Sequence, residues 1–242
     1  MSLKNHVLLI TGAGGGLGST AAVTLAKAGA QIILLDKSIP KLEQTYDAIE
    51  AAQGPTPIMY PFDLAGANAE DYADLAQRIE EKYGALQGIL HSAIEFKAFT
   101  PISCLSPKDW AQSVNVNLNA PFILTKVLLP LLEKSGTASV VFTGDSCAEQ
   151  APAYTGAYGV SKLALQGFAH ILAAELEAEG KVRVNTLIPG PIDSPFRKKA
   201  YPAEDKSKLP TLQSLAPLYL YLFGPASLGV TGQIIDARTF HL

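Results

Sequence analysis

Tyr158 and Lys162 stand one helical turn apart at the end of the stretch VVFTGDSCAEQAPAYTGAYGVSK, residues 140–162. On a helix that spacing puts both side chains on one face. A free phenol has a pKa of about 10, too high to serve as a base near neutrality. A lysine beside it favours tyrosinate and lowers that value. The pair suits proton transfer to or from a substrate oxygen. Such chemistry wants a further group to hold the substrate. Thirteen residues before Tyr158 stands Asp145, with Ser146 next to it.

A second cluster suits a phosphate. LLITGAGGGLGSTAA, residues 8–22, places Gly12, Gly14, Gly15, Gly16 and Gly18 between an apolar run and a helical pattern. Glycine allows the tight turn and the close approach of backbone to a ligand. The helix that follows aims its first N–H groups at the turn, a favourable place for a pyrophosphate. The next apolar run ends at Asp36, eighteen residues beyond Gly18. A carboxylate there accepts from both ribose hydroxyls and repels a 2′-phosphate, which favours NAD(H) over NADP(H). Lys37 beside it pulls the other way, because a cation tolerates the phosphate.

These groups must be held by strands and helices. Apolar runs at His6–Ile10, Gln31–Leu35, Ile58–Phe62, Gly88–His91, Ser139–Thr143, Arg183–Ile188 and Gln233–Asp236 read as strands. Most are continuous rather than alternating, as strands covered on both faces require. Helical patterns separate them: Gly18–Ala28, Ile39–Ala52, Ala69–Lys82, Pro107–Leu132, Ala157–Glu179 and Leu212–Leu222. The alternation predicts a doubly wound α/β fold with a parallel sheet of about seven strands and helices on both faces. No linker divides residues 1–242, so one domain is expected. The polar stretch from Phe196 to Lys208 reads as a mobile excursion, a substrate lid near 194–210.

Composition narrows the class. Hydrophobic residues are 48% and charged residues 17%, enough for a large core and against disorder. Net charge is −3 with no basic run, which argues against nucleic acid and an anionic membrane surface. Two cysteines, Cys104 and Cys147, make no disulfide framework, and no Cys/His spacing suggests a metal. There is no signal-peptide pattern and no cleanly apolar window of membrane length. A cytoplasmic protein is the expectation.

In five places, in order, the sequence resembles the short-chain dehydrogenase/reductase family, and the likeness covers essentially the whole chain. They are Thr11-Gly12 with Gly16 and Gly18; Asp63-Leu64; Asn117 in VNVNLNAPF; Tyr158 with Lys162; and NTLIPGPIDS from Asn185 to Ser194. The resemblance implies a Rossmann-type fold and hydride transfer between a nicotinamide cofactor, NAD in preference to NADP, and a small-molecule alcohol/carbonyl substrate. It implies Tyr158 as acid/base, Lys162 as modulator of its pKa and holder of the nicotinamide ribose, and Asn117 as anchor of a water leading from Lys162 to solvent. Cofactor contacts fall on Gly12, Gly14, Gly16, Leu17, Gly18, Asp36, Asp63, Leu64, Ser92, Ala93, Tyr158, Lys162, Pro189, Gly190, Ile192 and Ser194. A homodimer or homotetramer built on the helices at 107–132 and 157–179 is also implied.

Two departures bear on activity. Asp145 falls where the family usually has a substrate-orienting serine. Ser146 takes over if the loop shifts by one residue; or Asp145 is protonated and donates to a carbonyl; or it is ionised and raises the Tyr158 pKa. At the fourth strand's end the family's Asn-Asn-Ala-Gly reads His91-Ser92-Ala93-Ile94. Ile94 threatens to crowd the nicotinamide end, and His91 reads as a packed, hydrogen-bonded histidine. Cys147 reads as a small buried hydrophobe, and Arg197-Lys198-Lys199 as the solvated face of the lid or a contact for an anionic substrate. The rival class is a catalytically impaired dinucleotide-binding or scaffolding protein of the same fold.

Overall fold

The structure, a computed structural model, describes residues 2–241. Its strands are β1 Val7–Thr11, β2 Gln31–Asp36, β3 Ile58–Pro61, β4 Gly88–His91, β5 Ala138–Thr143, β6 Val182–Ile188 and β7 Ile234–Asp236. They form one sheet in the order β3-β2-β1-β4-β5-β6-β7, every neighbour parallel. Parallel neighbours cannot be joined by hairpins, so helices carry the crossovers. These are α1 Gly16–Lys27, α2 Ile39–Ala51, α3 Ala69–Tyr83, α4 Pro107–Val114, α5 Ala120–Lys134, α6 Cys147–Gln150, α7 Gly156–Leu176, α8 Pro195–Ala200 and α9 Ala216–Phe223.

Side chains alternate faces along each strand. On β1, Leu8 and Ile10 meet Leu25, Leu42 and Leu222 from α1, α2 and α9 in one core. Leu9 faces the other core, with Leu75, Leu128 and Leu165 from α3, α5 and α7. Burial on both faces explains the continuous apolar runs of the sequence.

The chain leaves β1 toward one edge, returns, and enters β4 on the other side of β1. Thr11 and His91 end these two strands in register. That reversal opens a crevice beyond the carboxyl ends, the usual ligand position in such sheets.

The helix expected over 107–132 is not one α-helix. A π turn, Asn115–Asn119, separates α4 from α5, and Ala120 N–H reaches the Asn115 carbonyl. The run Pro107–Lys134 is apolar and long enough by length and composition to cross a membrane. Its apolar side is nevertheless the core, where Leu124, Leu128 and Leu132 are fully buried. The short helices α6 and α8 were also not predicted; both lie in the loops that border the crevice.

Candidate functional site

The glycine turn fixes the crevice floor. Gly12 has φ +64°, and a Cβ there would stand 2.7 Å from the backbone of Ala93. A Cβ on Gly18 would stand 2.2 Å from the Gly12 carbonyl oxygen. Only hydrogen fits at either place. The approach of the two loops is pinned by Thr11, whose Oγ1 accepts from the N–H groups of Ser92 and Ala93, both at 3.1 Å. Gly15 is the N-cap of α1, so the first N–H groups of that helix open onto the crevice.

Two adjoining cavities fill the crevice and share Gly15, Ser92 and Ile94. The smaller, about 190 Å³, is bordered by Asp36, Lys37, Lys41, Asp63 and Leu64. The larger, about 310 Å³, is bordered by Gly16, Asp145, Tyr158, Lys162 and Phe196. Leu17, Gly18, Pro189, Gly190, Ile192, Ser194 and Ser146 also face the larger one, and Gly12 and Ala93 the smaller. Gly14 borders neither; its N–H instead donates to Asp36 Oδ2 at 3.1 Å. The other oxygen, Oδ1, accepts from Ser38 N–H at 2.9 Å. Asp36 thus ties the glycine turn to the start of α2.

The crevice fits a dinucleotide. It offers a helix N-terminus for the pyrophosphate and a glycine floor. It also holds buried polar atoms without a partner in the protein, Ser92 Oγ and Thr143 Oγ1. Ser92 borders both cavities and Thr143 the larger.

At the chemical end, Tyr158 Oη donates to Asp145 Oδ2 at 2.6 Å. Asp145 Oδ1 accepts from Cys147 N–H at 2.9 Å, so the first turn of α6 holds the carboxylate in place. Asp145, not Ser146, meets the phenol. Lys162 Nζ donates to the Thr143 carbonyl at 2.6 Å and lies 5.9 Å from the centre of the Tyr158 ring. The expected lowering of the phenol pKa is reversed. Burial pushes Tyr158 well above its usual value, and the charge and hydrogen bond of Asp145 push it further. Burial lowers Lys162, and Asp145 opposes that shift. Burial likewise raises the Cys147 thiol to about 12, leaving it inert as a nucleophile near neutrality.

Asn117 sits on the π turn and is buried. Its side chain bonds to Glu95 and Ser113. Oδ1 accepts from Glu95 N–H at 2.8 Å, and Nδ2 donates to the Glu95 carbonyl at 2.8 Å and to Ser113 Oγ at 3.0 Å. Both amide protons are used, so the side chain clamps the loop that follows β4. His91 is packed as expected. Its Nε2 meets Thr125 Oγ1 at 2.9 Å, and its ring stacks on Phe142 at 4.8 Å. Burial, with the charge of Lys162, lowers its pKa to about 3. Ile94 is turned out to the rim between the cavities, 39% exposed, instead of filling the turn.

From the 194–210 excursion, Ser194, Pro195, Phe196, Arg197 and Tyr201 border the larger cavity. Ser194 Oγ caps α8 by accepting from Arg197 N–H at 3.1 Å. Arg197 makes a two-pronged ion pair with Glu204, at 2.7 and 2.6 Å, and stacks over Tyr201. Lys198 pairs with Asp193 at 3.0 Å, and Lys199 donates to the Phe96 carbonyl at 2.6 Å. All three basic side chains are therefore engaged within the chain. Phe96, Phe99, Phe196 and Tyr158 pack edge-to-face or tilted, with ring centres 5.0–5.6 Å apart. Sequence reasoning missed this aromatic cluster, because Phe96, in the loop after β4, and Phe196, in α8, stand a hundred residues apart. It also missed the Thr143 carbonyl, a backbone atom that no side-chain pattern marks.

The fold and this crevice define a nicotinamide-dependent oxidoreductase. The short chain dehydrogenase family model matches residues 6–205. The oxidoreductase YciK of Escherichia coli K12 is 40% identical over 236 residues, 98% of this chain and 93% of YciK. A short chain dehydrogenase structure from Shigella flexneri 2a, complexed with NADP, superposes with a TM-score of 0.94 at 40% identity, covering 98% of each chain. One from Escherichia coli CFT073, complexed with NADPH, gives 0.94 at 41% identity, again covering 98% of each. The chain belongs to the short chain dehydrogenase family. Its reaction is oxidoreduction of an alcohol/carbonyl pair with a nicotinamide cofactor. The non-catalytic rival finds no support in these relatives. The preference for NAD read from Asp36 does not match the cofactor held by these two neighbours.

Proposed function

We propose that the protein is an NADP(H)-dependent reductase of a small neutral carbonyl compound, with Tyr158 as its acid/base residue. One observation carries the reading. The Tyr158 hydroxyl, the buried Lys162 ammonium and the N-terminus of α1 open onto one cavity. A bound nicotinamide supplies or takes up the hydride. Tyr158 then gives its phenol proton to the substrate oxygen, or takes one in the reverse direction. Lys162, with one of its three protons on the Thr143 carbonyl, has two left for the nicotinamide ribose and for a water that returns the proton. Asn117 acts as a positioning residue through Glu95, and Ser146 lines the substrate space.

The choice of NADP(H) rests on the smaller cavity. Both Asp36 oxygens already accept backbone N–H groups. Lys37 and Lys41 border the same space, and both are exposed. They suit a 2′-phosphate better than a second ribose hydroxyl. Titration of nicotinamide fluorescence should give tighter binding of NADPH than of NADH. Lys37→Ala with Lys41→Ala should weaken NADPH about tenfold or more and leave NADH unchanged. Equal binding of both cofactors by the wild type would refute the selection, and binding of neither would refute the function.

We further propose one cofactor-binding domain over 1–242, with 194–210 as its substrate lid, acting in the cytoplasm as a homodimer or homotetramer. The free Cys104 and Cys147 suit a reducing compartment. The oligomer rests on α7, where Val160, Leu163 and Ile171 are exposed on one helical stripe beside exposed Phe122 of α5.

A further inference from the structure

Asp145 says more about the substrate than its place in the cavity. The inference rests on the reductase reading above and adds the chemical class of the carbonyl compound. A serine hydroxyl both donates and accepts, so it can hold a carbonyl oxygen beside the tyrosine. A carboxylate only accepts. Both Asp145 oxygens accept here, Oδ2 from the Tyr158 hydroxyl at 2.6 Å and Oδ1 from Cys147 N–H, so the group presents no donor to a carbonyl. The carboxylate cannot turn away without breaking the Cys147 bond.

For Tyr158 to address a substrate carbonyl, its bond to Asp145 must open. Oδ2 then faces the cavity with its donor gone, and an acceptor stripped of its partner in a part-buried site is costly. A substrate that brings a donor next to its carbonyl removes that cost. The spacing selects where the donor sits. Tyr158 Oη and Asp145 Oδ2 are 2.6 Å apart. Two substrate oxygens on adjacent carbons, in the gauche arrangement, have a similar separation and meet the pair through two side-by-side hydrogen bonds. A donor two or more carbons away does not. Charge selects the donor type. Lys162 already acts on Asp145 as a counter-charge in the same cavity, so an ammonium would add a second cation against one carboxylate. A hydroxyl adds none.

We propose that the substrate is an α-hydroxycarbonyl compound. Its carbonyl oxygen accepts from Tyr158, and its neighbouring hydroxyl donates to Asp145 Oδ2. In reduction the carbonyl carbon gains the hydride from NADPH and the carbonyl oxygen gains the Tyr158 proton. The products are a vicinal diol and NADP⁺, and the phenolate regains its proton from solvent by way of Lys162. The α-hydroxyl is held and not consumed. Phe196 and Tyr201, which border the same cavity, favour an aryl or similarly flat substituent.

The test compares α-hydroxyacetophenone with acetophenone, using NADPH, in the wild type and in Asp145→Ser. The wild type should favour the hydroxyketone by about tenfold or more in kcat/KM. Asp145→Ser should bring the ratio near one by accelerating acetophenone, a gain that mere damage to the fold cannot produce. Calorimetry on the NADPH-loaded protein gives a readout without turnover. Phenylethanediol should bind about tenfold tighter than phenylethanol in the wild type and equally in Asp145→Ser. Equal reduction of the two ketones by the wild type, or a preference that survives Asp145→Ser, overturns the proposal and leaves the reductase standing. NADPH binding with neither ketone reduced by either protein overturns both.

Discussion

Tyr158 keeps its proton more firmly than an isolated phenol. Its pKa is raised well above 10.0, by burial first and then by the charge and hydrogen bond of Asp145. Protonated Tyr158 is the acid that carbonyl reduction needs, and tyrosinate is the base that alcohol oxidation needs. Reduction should therefore run at full rate through neutral pH, while oxidation should still be climbing at the alkaline end of the accessible range. Asp145→Ser removes a negative charge from the phenol, so its pKa falls. The rise of the oxidation profile should move to lower pH, which a rate–pH series on both proteins would show. A profile that stays in place would separate Asp145 from the proton transfer. Tyr158→Phe should lower kcat by about a hundredfold or more while NADPH affinity stays within a few-fold, as expected for loss of a general acid that the cofactor does not need.

At the scale of elements, the site depends on how β4 and the π turn are tied together. Glu95 offers both its backbone N–H and its carbonyl to the Asn117 side chain. Asn117→Ala leaves both without their partner in a part-buried loop, at a cost of about 1–3 kcal/mol. A urea denaturation midpoint should fall accordingly, and NADPH should bind more weakly because Ser92 and Ala93 belong to the loosened loop. Gly12→Ala should be worse for binding, since its Cβ would enter the backbone of Ala93 from a left-handed φ. The strands were legible because burial on both sheet faces writes a continuous apolar run, and each observed strand lies within two residues of its predicted bounds. The Tyr158–Lys162 pair was legible because helical spacing alone brings it together. The π turn was not. NVNLN carries the same side chains in an α or a π turn, and the difference lies in which carbonyl Ala120 N–H reaches. Nor was the 2.6 Å bond from Tyr158 to Asp145, because it depends on how α6 seats the carboxylate after β5 has ended.

At the scale of the whole molecule, the stripe formed by Val160, Leu163, the open Gly167 and Ile171 has the 3–4 residue spacing of one helix face. Leu163→Glu should convert the proposed oligomer to smaller species in light scattering, with the thermal midpoint little changed if the protomer is stable alone. A wild type that is monomeric at micromolar concentration would remove this interface. The larger cavity carries a different message. Arg197 and Arg238 both border the larger cavity, yet each is already spoken for, Arg197 by Glu204 and Arg238 by Asp236. An anionic substrate would have to dissolve one of those pairs before gaining an arginine of its own. The cavity's arginines are thus no invitation to anions, and salt should sort the two ligands of the enzyme. Raising ionic strength screens the exposed Lys37 and Lys41 and should weaken the phosphate-bearing cofactor. The KM of an uncharged substrate should stay level across the same salt series.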